Sequence, residues 1–304
     1  EIDRRRAEGT SYNNMAVFYR TNAQSRMLED MLLRAGVPYR IVGGTRFFDR
    51  AEIRDVMAYL TLVVNPADDI AAKRVINVPR RGIGKTTIER IDQFAREMNM
   101  PYLTAAELAI VDPDIRASTR NAVGEFVQVI KDGATYEGDL RKVVEMIIDH
   151  AGLIRALQDE GTDEARGRVE NIQEFLGVVD EFVQTHDADE SDFAAPTVGE
   201  DESVEPVREL RGDSLADLLE WVRLRTDLDT VTEDGQAVTL MTVHSSKGLE
   251  FDCVWVAGME ETLFPHMNSV GDAAAVEEER RLAYVAITRA RKRLTLTCAQ
   301  QRQI

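Results

Sequence analysis

The 304 residues hold little cysteine, few aromatic side chains, no long apolar run and a shortage of positive charge. Each absence excludes something. The two cysteines, Cys253 and Cys298, stand far apart in apolar, strand-like stretches, so buried reduced thiols are expected rather than a disulfide framework or a metal site. A cytoplasmic protein is expected in turn, because oxidising compartments favour paired cysteines. No stretch approaches the roughly 20 apolar residues that cross a bilayer, and no signal peptide opens the chain, so no membrane partner is expected. With 37 Lys and Arg against 54 Asp and Glu the formal net charge is −17, which excludes a protein that coats nucleic acid through bulk positive charge.

Two further absences are disguised by look-alikes. The stretch RRGIGKTT, residues 80–87, imitates the phosphate loop GxxxxGK[ST], in which a first glycine opens the turn and backbone amides wrap the phosphates. Counting back from Gly84, that glycine's place is taken by Pro79. A proline there fixes φ and removes an amide donor where the loop needs both freedom and donors. The stretch FLGVVDEF imitates the apolar strand ending in Asp-Glu that positions magnesium and the attacking water in ATPases, here Asp180 and Glu181. Its apolar residues Ile172, Phe175, Leu176, Val179 and Phe182 recur at helical spacing. The two acids are therefore expected on a solvated helix face.

The two ends of the chain read as α/β. Strands are expected at 15–19, 39–44, 237–243, 253–258 and 293–299, with helices around Leu28, Met31 and Leu32 and over 276–287. Strands alternating with helices imply a mostly parallel sheet covered on both faces. Between about 63 and 235 no strand is legible, and residues such as Leu140, Val144, Ile147 and Ile148 fall at helical spacing. The pattern is one discontinuous α/β domain, 1–62 and 236–304, incomplete in either half alone and interrupted by a helical insertion, 63–235. Within the insertion, Asp187 to Glu209 carries nine acidic residues against one basic, with two prolines. A disordered acidic loop near 187–212 is expected there.

Positive charge gathers at one place. Between Lys73 and Arg96 seven basic residues face two acidic ones, around a helix, the turn PRRGIG and a second helix starting at Thr86 or Thr87. The segment 71–96 resembles the helix-hairpin-helix element of DNA-binding proteins. Gly82 and Gly84 let a backbone approach a phosphate closely, the amides at the next helix N-terminus point at it, and Arg80, Arg81, Lys85 and Thr86 surround it. Such a grip is independent of base sequence. The plainer alternative is a glycine cap between two helices.

The stretches VTLMTVHSSKGLEFD (238–252) and EEERRLAYVAITRARKRL (277–294) resemble motifs V and VI of superfamily 1 DNA helicases of the UvrD/PcrA/Rep type. YRTNAQSR, VGGTRFFDRAEIRD, NVPRRGIG and GMEETLFPH are similar to stretches of the same family in the same order. The resemblance implies that the ends form domain 2A, a RecA-like parallel-sheet lobe, and the insertion domain 2B, which contacts duplex DNA. It implies that Arg289 is an arginine finger toward the γ-phosphate of ATP, a role suited to a permanently charged guanidinium. It implies that Glu250 accepts from the ribose hydroxyl, with Lys247 and Gly248 beside the nucleotide and His244 linking that cleft to single-stranded DNA. The rest of EEERR and RARKR reads as a charged amphipathic helix.

The resemblance is to the C-terminal portion of such a helicase, since the family's phosphate loop, its Asp-Glu strand and its adenine-stacking Asn-Tyr-Arg-Ser motif are not found in these residues. ATP and Mg2+ are expected in the full-length protein, bound mainly by the other lobe, with no cofactor and no metal site in this portion alone. Single-stranded and duplex DNA are the expected partners, with repair or transcription proteins beside them. The competing expectation is a stand-alone, non-catalytic DNA-binding or regulatory module that lost the motor.

Overall fold

The computed structural model describes residues 1–186, 211–227 and 235–299. The chain divides into two compact units, Glu1–Arg50 with Thr226–Ile304, and Ala51–Arg225. It begins with α1 (Ile2–Ala7), β1 (Met15–Tyr19), α2 (Ser25–Arg34) and β2 (Tyr39–Val42). The second unit follows with α3 (Ala51–Val64), α4 (Asp69–Val75), α5 (Lys85–Met98), α6 (Tyr102–Ala109), α7 (Ala117–Thr135), α8 (Leu140–Ala151), α9 (Leu153–Glu160), α10 (Asp163–His186) and α11 (Leu215–Asp227). The chain then returns with β3 (Val238–Thr242), β4 (Phe251–Val256), α12 (Ala273–Ile287) and β5 (Ala290–Leu296).

The first unit is built on a five-stranded sheet in the order β2-β3-β1-β4-β5, with every neighbouring pair parallel. β3 arrives from beyond the insertion and lies between β1 and β2, with Leu240 opposite Val17 on one side and Ile41 on the other. Neither end of the chain makes this sheet without the other. β1 is apolar along its whole length because both faces are covered. Met15, Val17 and Tyr19 join Leu32 of α2 and Val37, while Ala16 and Phe18 join Phe264 and Ala286 of α12.

Two expectations are corrected, and a third falls outside the described residues. The expected α/β domain runs through residue 62, but the buried Ile53, Val56, Tyr59, Leu60 and Leu62 of α3 belong to a helix packed on α4, α7, α8 and α10. The division therefore falls after Arg50 and after Arg225, because periodicity reveals an apolar stripe and not the partner it faces. Cys253 is buried as expected, but Cys298 is exposed. It lies past the end of β5, an edge strand whose residues are half-buried or exposed. The segment 187–210 of the expected acidic loop lies outside the described residues.

The second unit has no strand among its described residues. Its long α10 buries Ile172, Phe175, Val178, Val179 and Phe182. Asp180 and Glu181 are positions within that helix, and Asp180 pairs with Arg141. The look-alike of a magnesium-holding strand is thus a helix with a structural ion pair.

Candidate functional site

In the first unit, loop 243–250 runs from the end of β3 to the start of β4, and Arg289 links α12 to the start of β5. Because β4 and β5 pair, their starts are neighbours. The Phe251 amide donates to the Arg289 carbonyl at 3.0 Å, and Arg289 Nη1 donates to the Leu249 carbonyl at 3.3 Å. Arg289 and Glu250 thereby share one edge of the sheet. The rest of the guanidinium meets only neutral acceptors, Nε donating to the Val285 carbonyl at 3.1 Å and Nη2 to Thr288 Oγ1 at 3.2 Å. Its neighbours differ. Arg280 pairs with Glu277, Arg281 with Glu278, Arg291 and Lys292 with Asp252, and Arg293 with Glu8. Among the described residues, Arg289 is the basic residue of this motif that has no carboxylate partner. Its charge, at the end of α12 where a cation is favoured, remains available to an anion. Lys247, Gly248 and Glu250 on the adjoining loop are exposed, and Gly248 has φ +85, a left-handed backbone that glycine takes without strain.

His244 lies at the opposite, carboxyl-terminal edge of the strands, just after the end of β3, in a short turn over His244–Ser246. Arg20 follows β1 at the same edge, with the carboxamide of Gln24 accepting from the amides of Arg20 and Thr21 at 2.9 and 3.0 Å. The Arg20 guanidinium forks onto Glu279, Nε donating to the two carboxylate oxygens at 3.1 and 3.0 Å and Nη2 to Oε1 at 2.7 Å. The His266 amide donates to Glu279 Oε2 at 3.3 Å. Burial raises the cost of ionising Glu279, but the Arg20 fork and the His266 amide outweigh it and hold the carboxyl below its usual range. His244 keeps an exposed edge, yet crowding by protein atoms and repulsion from Arg20 push its pKa below the ordinary histidine value, against a weaker pull from Glu279 and Glu278.

Sequence reasoning missed Glu279. EEERR reads as a charged helix face, whereas Glu279 is only 5% exposed. The signal was its spacing. Glu279, Leu282, Ala283 and Ala286 fall at i, i+3, i+4 and i+7, the stripe that faces the sheet.

In the second unit, α4 and α5 flank the hairpin 76–84, and Gly84 is the N-cap of α5. No strand leads into it, so RRGIGKTT is a turn between two helices followed by the first residues of α5. Asn77 Oδ1 accepts from the amides of Arg81 and Ile83 at 2.8 and 3.3 Å. Gly82 has φ +75. The amides of Gly84, Lys85 and Thr86 donate to no acceptor among the described residues. Arg80, Lys85 and Thr86 are exposed, with Lys85 Nζ 3.6 Å from Glu89.

Arg81 behaves differently from the expectation of a phosphate contact. It is half-buried and its guanidinium donates to backbone carbonyls within the unit, so its terminal donors are already engaged. The wider basic excess is also internally compensated. Lys73 and Arg96 pair with Asp92, Arg74 with Asp55, and Arg90 with Asp112 and Asp114. The cations that face solvent at the hairpin are Arg80 and Lys85. Among the described residues no group of His, Cys, Asp and Glu could hold a metal ion, and no helix is long and apolar enough to cross a membrane.

Residues 1–301 match the family profile described as the UvrD-like helicase C-terminal domain. Among curated proteins, the chain is 40% identical over 300 residues to the ATP-dependent DNA helicase UvrD1 of Mycobacterium bovis, covering 96% of this chain and 38% of that protein. It is 39% identical over 300 residues to the ATP-dependent DNA helicase PcrA of Bacillus subtilis, covering 96% and 37%. With PcrA of Staphylococcus aureus the identity is 36% over 310 residues, covering 100% and 39%. The chain thus spans less than two fifths of the length of these relatives.

Proposed function

Because the chain belongs to the UvrD-like helicase C-terminal family, we propose that it is the C-terminal part of an ATP-dependent 3′ to 5′ DNA helicase acting in DNA repair and replication. The α/β unit takes the part of domain 2A and the helical unit that of domain 2B. ATP and Mg2+ bind mainly on the companion lobe of the full-length protein, and this chain supplies one wall of the site. There Arg289 meets the γ-phosphate and neutralises charge developing on the transferred phosphoryl group, while Glu250 accepts from the ribose hydroxyl. Lys247 and Gly248 adjoin the nucleotide, and His244 contacts single-stranded DNA. The helical unit grips duplex backbone at Arg80, Gly82, Gly84, Lys85 and Thr86.

One observation carries this reading. In a motif crowded with basic residues, Arg289 lacks a carboxylate partner among the described residues and stands on the same edge as Glu250. A solvated helix face gives no reason for that difference. In the full-length protein, Arg289→Ala should lower ATP turnover by about 10³-fold, as for other arginine fingers, and leave nucleotide-free binding of single-stranded DNA unchanged. Steady-state phosphate release measures the first and fluorescence anisotropy the second. Normal turnover would reduce Arg289 to a helix-terminal structural residue. At the hairpin, two solvent-facing cations imply a slope of log affinity for duplex on log salt of about −1.8, at 0.9 per phosphate contact.

A further inference from the structure

Arg81 is the member of the hairpin whose chemistry the duplex grip leaves unexplained. A guanidinium has five N–H donors in a fixed fork. Nη1 of Arg81 donates to the Val78 carbonyl at 2.8 Å and to that of Pro79 at 3.3 Å, and Nη2 to the Ala151 carbonyl at 2.9 Å. Its centre lies 5.9 Å from the Tyr59 ring and 6.0 Å from the Phe126 ring. Tyr59 adds its own hydroxyl to the same Val78 carbonyl at 2.6 Å. Ala151 is the last residue of α8, where carbonyls lack intrahelical partners and the helix presents its negative end. One side chain therefore links the hairpin after α4 to the end of α8.

We propose that Arg81 is a positioning residue for the duplex grip, tying the hairpin to α8 so that the amides of Gly84, Lys85 and Thr86 and the cations of Arg80 and Lys85 stand ready for a phosphate. The inference rests on the reading of this hairpin as the duplex contact. Asn77 fixes the loop from within by binding the amides of Arg81 and Ile83, and Arg81 fixes it from outside. A loop already held in its bound form loses less conformational entropy on binding. Lysine cannot take over this role, since a point charge on a flexible stem does not span carbonyls on two segments as the planar fork does.

The test is binding of a short labelled duplex to the full 304-residue chain over a salt series, at temperatures where melting curves show each variant folded. Arg80→Gln and Lys85→Gln should each reduce the salt slope by about 0.9, the value of one phosphate contact. Arg81→Gln should keep the parental slope while lowering affinity roughly tenfold, and Arg81→Lys should lose a similar amount although the charge is retained. A slope reduced by about 0.9 in Arg81→Gln, or parental affinity in Arg81→Lys, would overturn the proposal and make Arg81 a direct contact or a bystander. If Arg80→Gln, Lys85→Gln and Gly84→Val all leave binding and slope unchanged, the duplex reading itself fails and the inference falls with it. A mutation-free arm uses NMR of the Arg81 guanidinium protons, which should exchange slowly before duplex is added and keep their shifts afterwards. A shift comparable to those of Arg80 and Lys85 would overturn the proposal.

Discussion

Buried charge at single residues carries the sharpest consequences for stability. Glu279 is buried and held ionised by Arg20, so Glu279→Gln removes the charge and leaves a guanidinium facing an amide. A loss of about 2 kcal/mol is expected, in the range of hydrogen bonds to charged groups. The folded carboxyl titrates below its ordinary value of 4.5. The stabilisation is therefore complete above that value and disappears as pH falls through the lower folded-state pKa. Melting temperatures of parent and variant should differ most at neutral pH and converge in acid; a constant gap would show that Glu279 acts through packing alone. For Arg289 the charge matters less than its distribution. Arg289→Lys retains a cation but not the planar fork, so it should keep most of the turnover defect of Arg289→Ala in phosphate-release assays. Full rescue by lysine would point to simple charge compensation.

At the scale of the hairpin, its two glycines are expected to behave differently. Gly82 has φ +75, a left-handed conformation that a Cβ disfavours, so Gly82→Ala should destabilise the chain by about 1 kcal/mol. Gly84 has φ −79, and a Cβ built there meets nothing within 4 Å. Gly84→Ala should therefore leave stability within about 0.5 kcal/mol of the parent while weakening duplex binding, because the added methyl obstructs only an approach from outside. Thermal melts and anisotropy together separate the two effects, and unchanged duplex affinity would remove Gly84 from the contact. The hairpin was legible in sequence as PRRGIG between two apolar runs. The fate of Arg81 was not, because its carbonyl partner Ala151 lies 70 residues away and a backbone acceptor leaves no residue-type signal. Likewise the excess of cations between Lys73 and Arg96 was visible, while Asp55, Asp112 and Asp114, which neutralise part of it, come from outside the window.

For the whole molecule the expectation is that these 304 residues alone do not hydrolyse ATP, since GxxxxGK[ST] is absent from the sequence. Phosphate release should stay at background with or without single-stranded DNA. DNA-stimulated turnover abolished by Lys85→Ala would restore RRGIGKTT as a phosphate loop. The sequence by itself determined the fold class, because strand and helix periods follow from local apolar spacing, and it determined the family, because motifs at 238–252 and 277–294 are contiguous strings. It also identified Arg289 and Glu250 as candidates. Only the tertiary structure decided that β3 enters between β1 and β2, that α3 belongs with the helices, and that Glu279 turns inward to meet Arg20. Each of these depends on which distant surface an element packs against. Pairing partners far along the chain are chosen by shape, burial and charge in three dimensions, and a local pattern contains the stripe but not its mate.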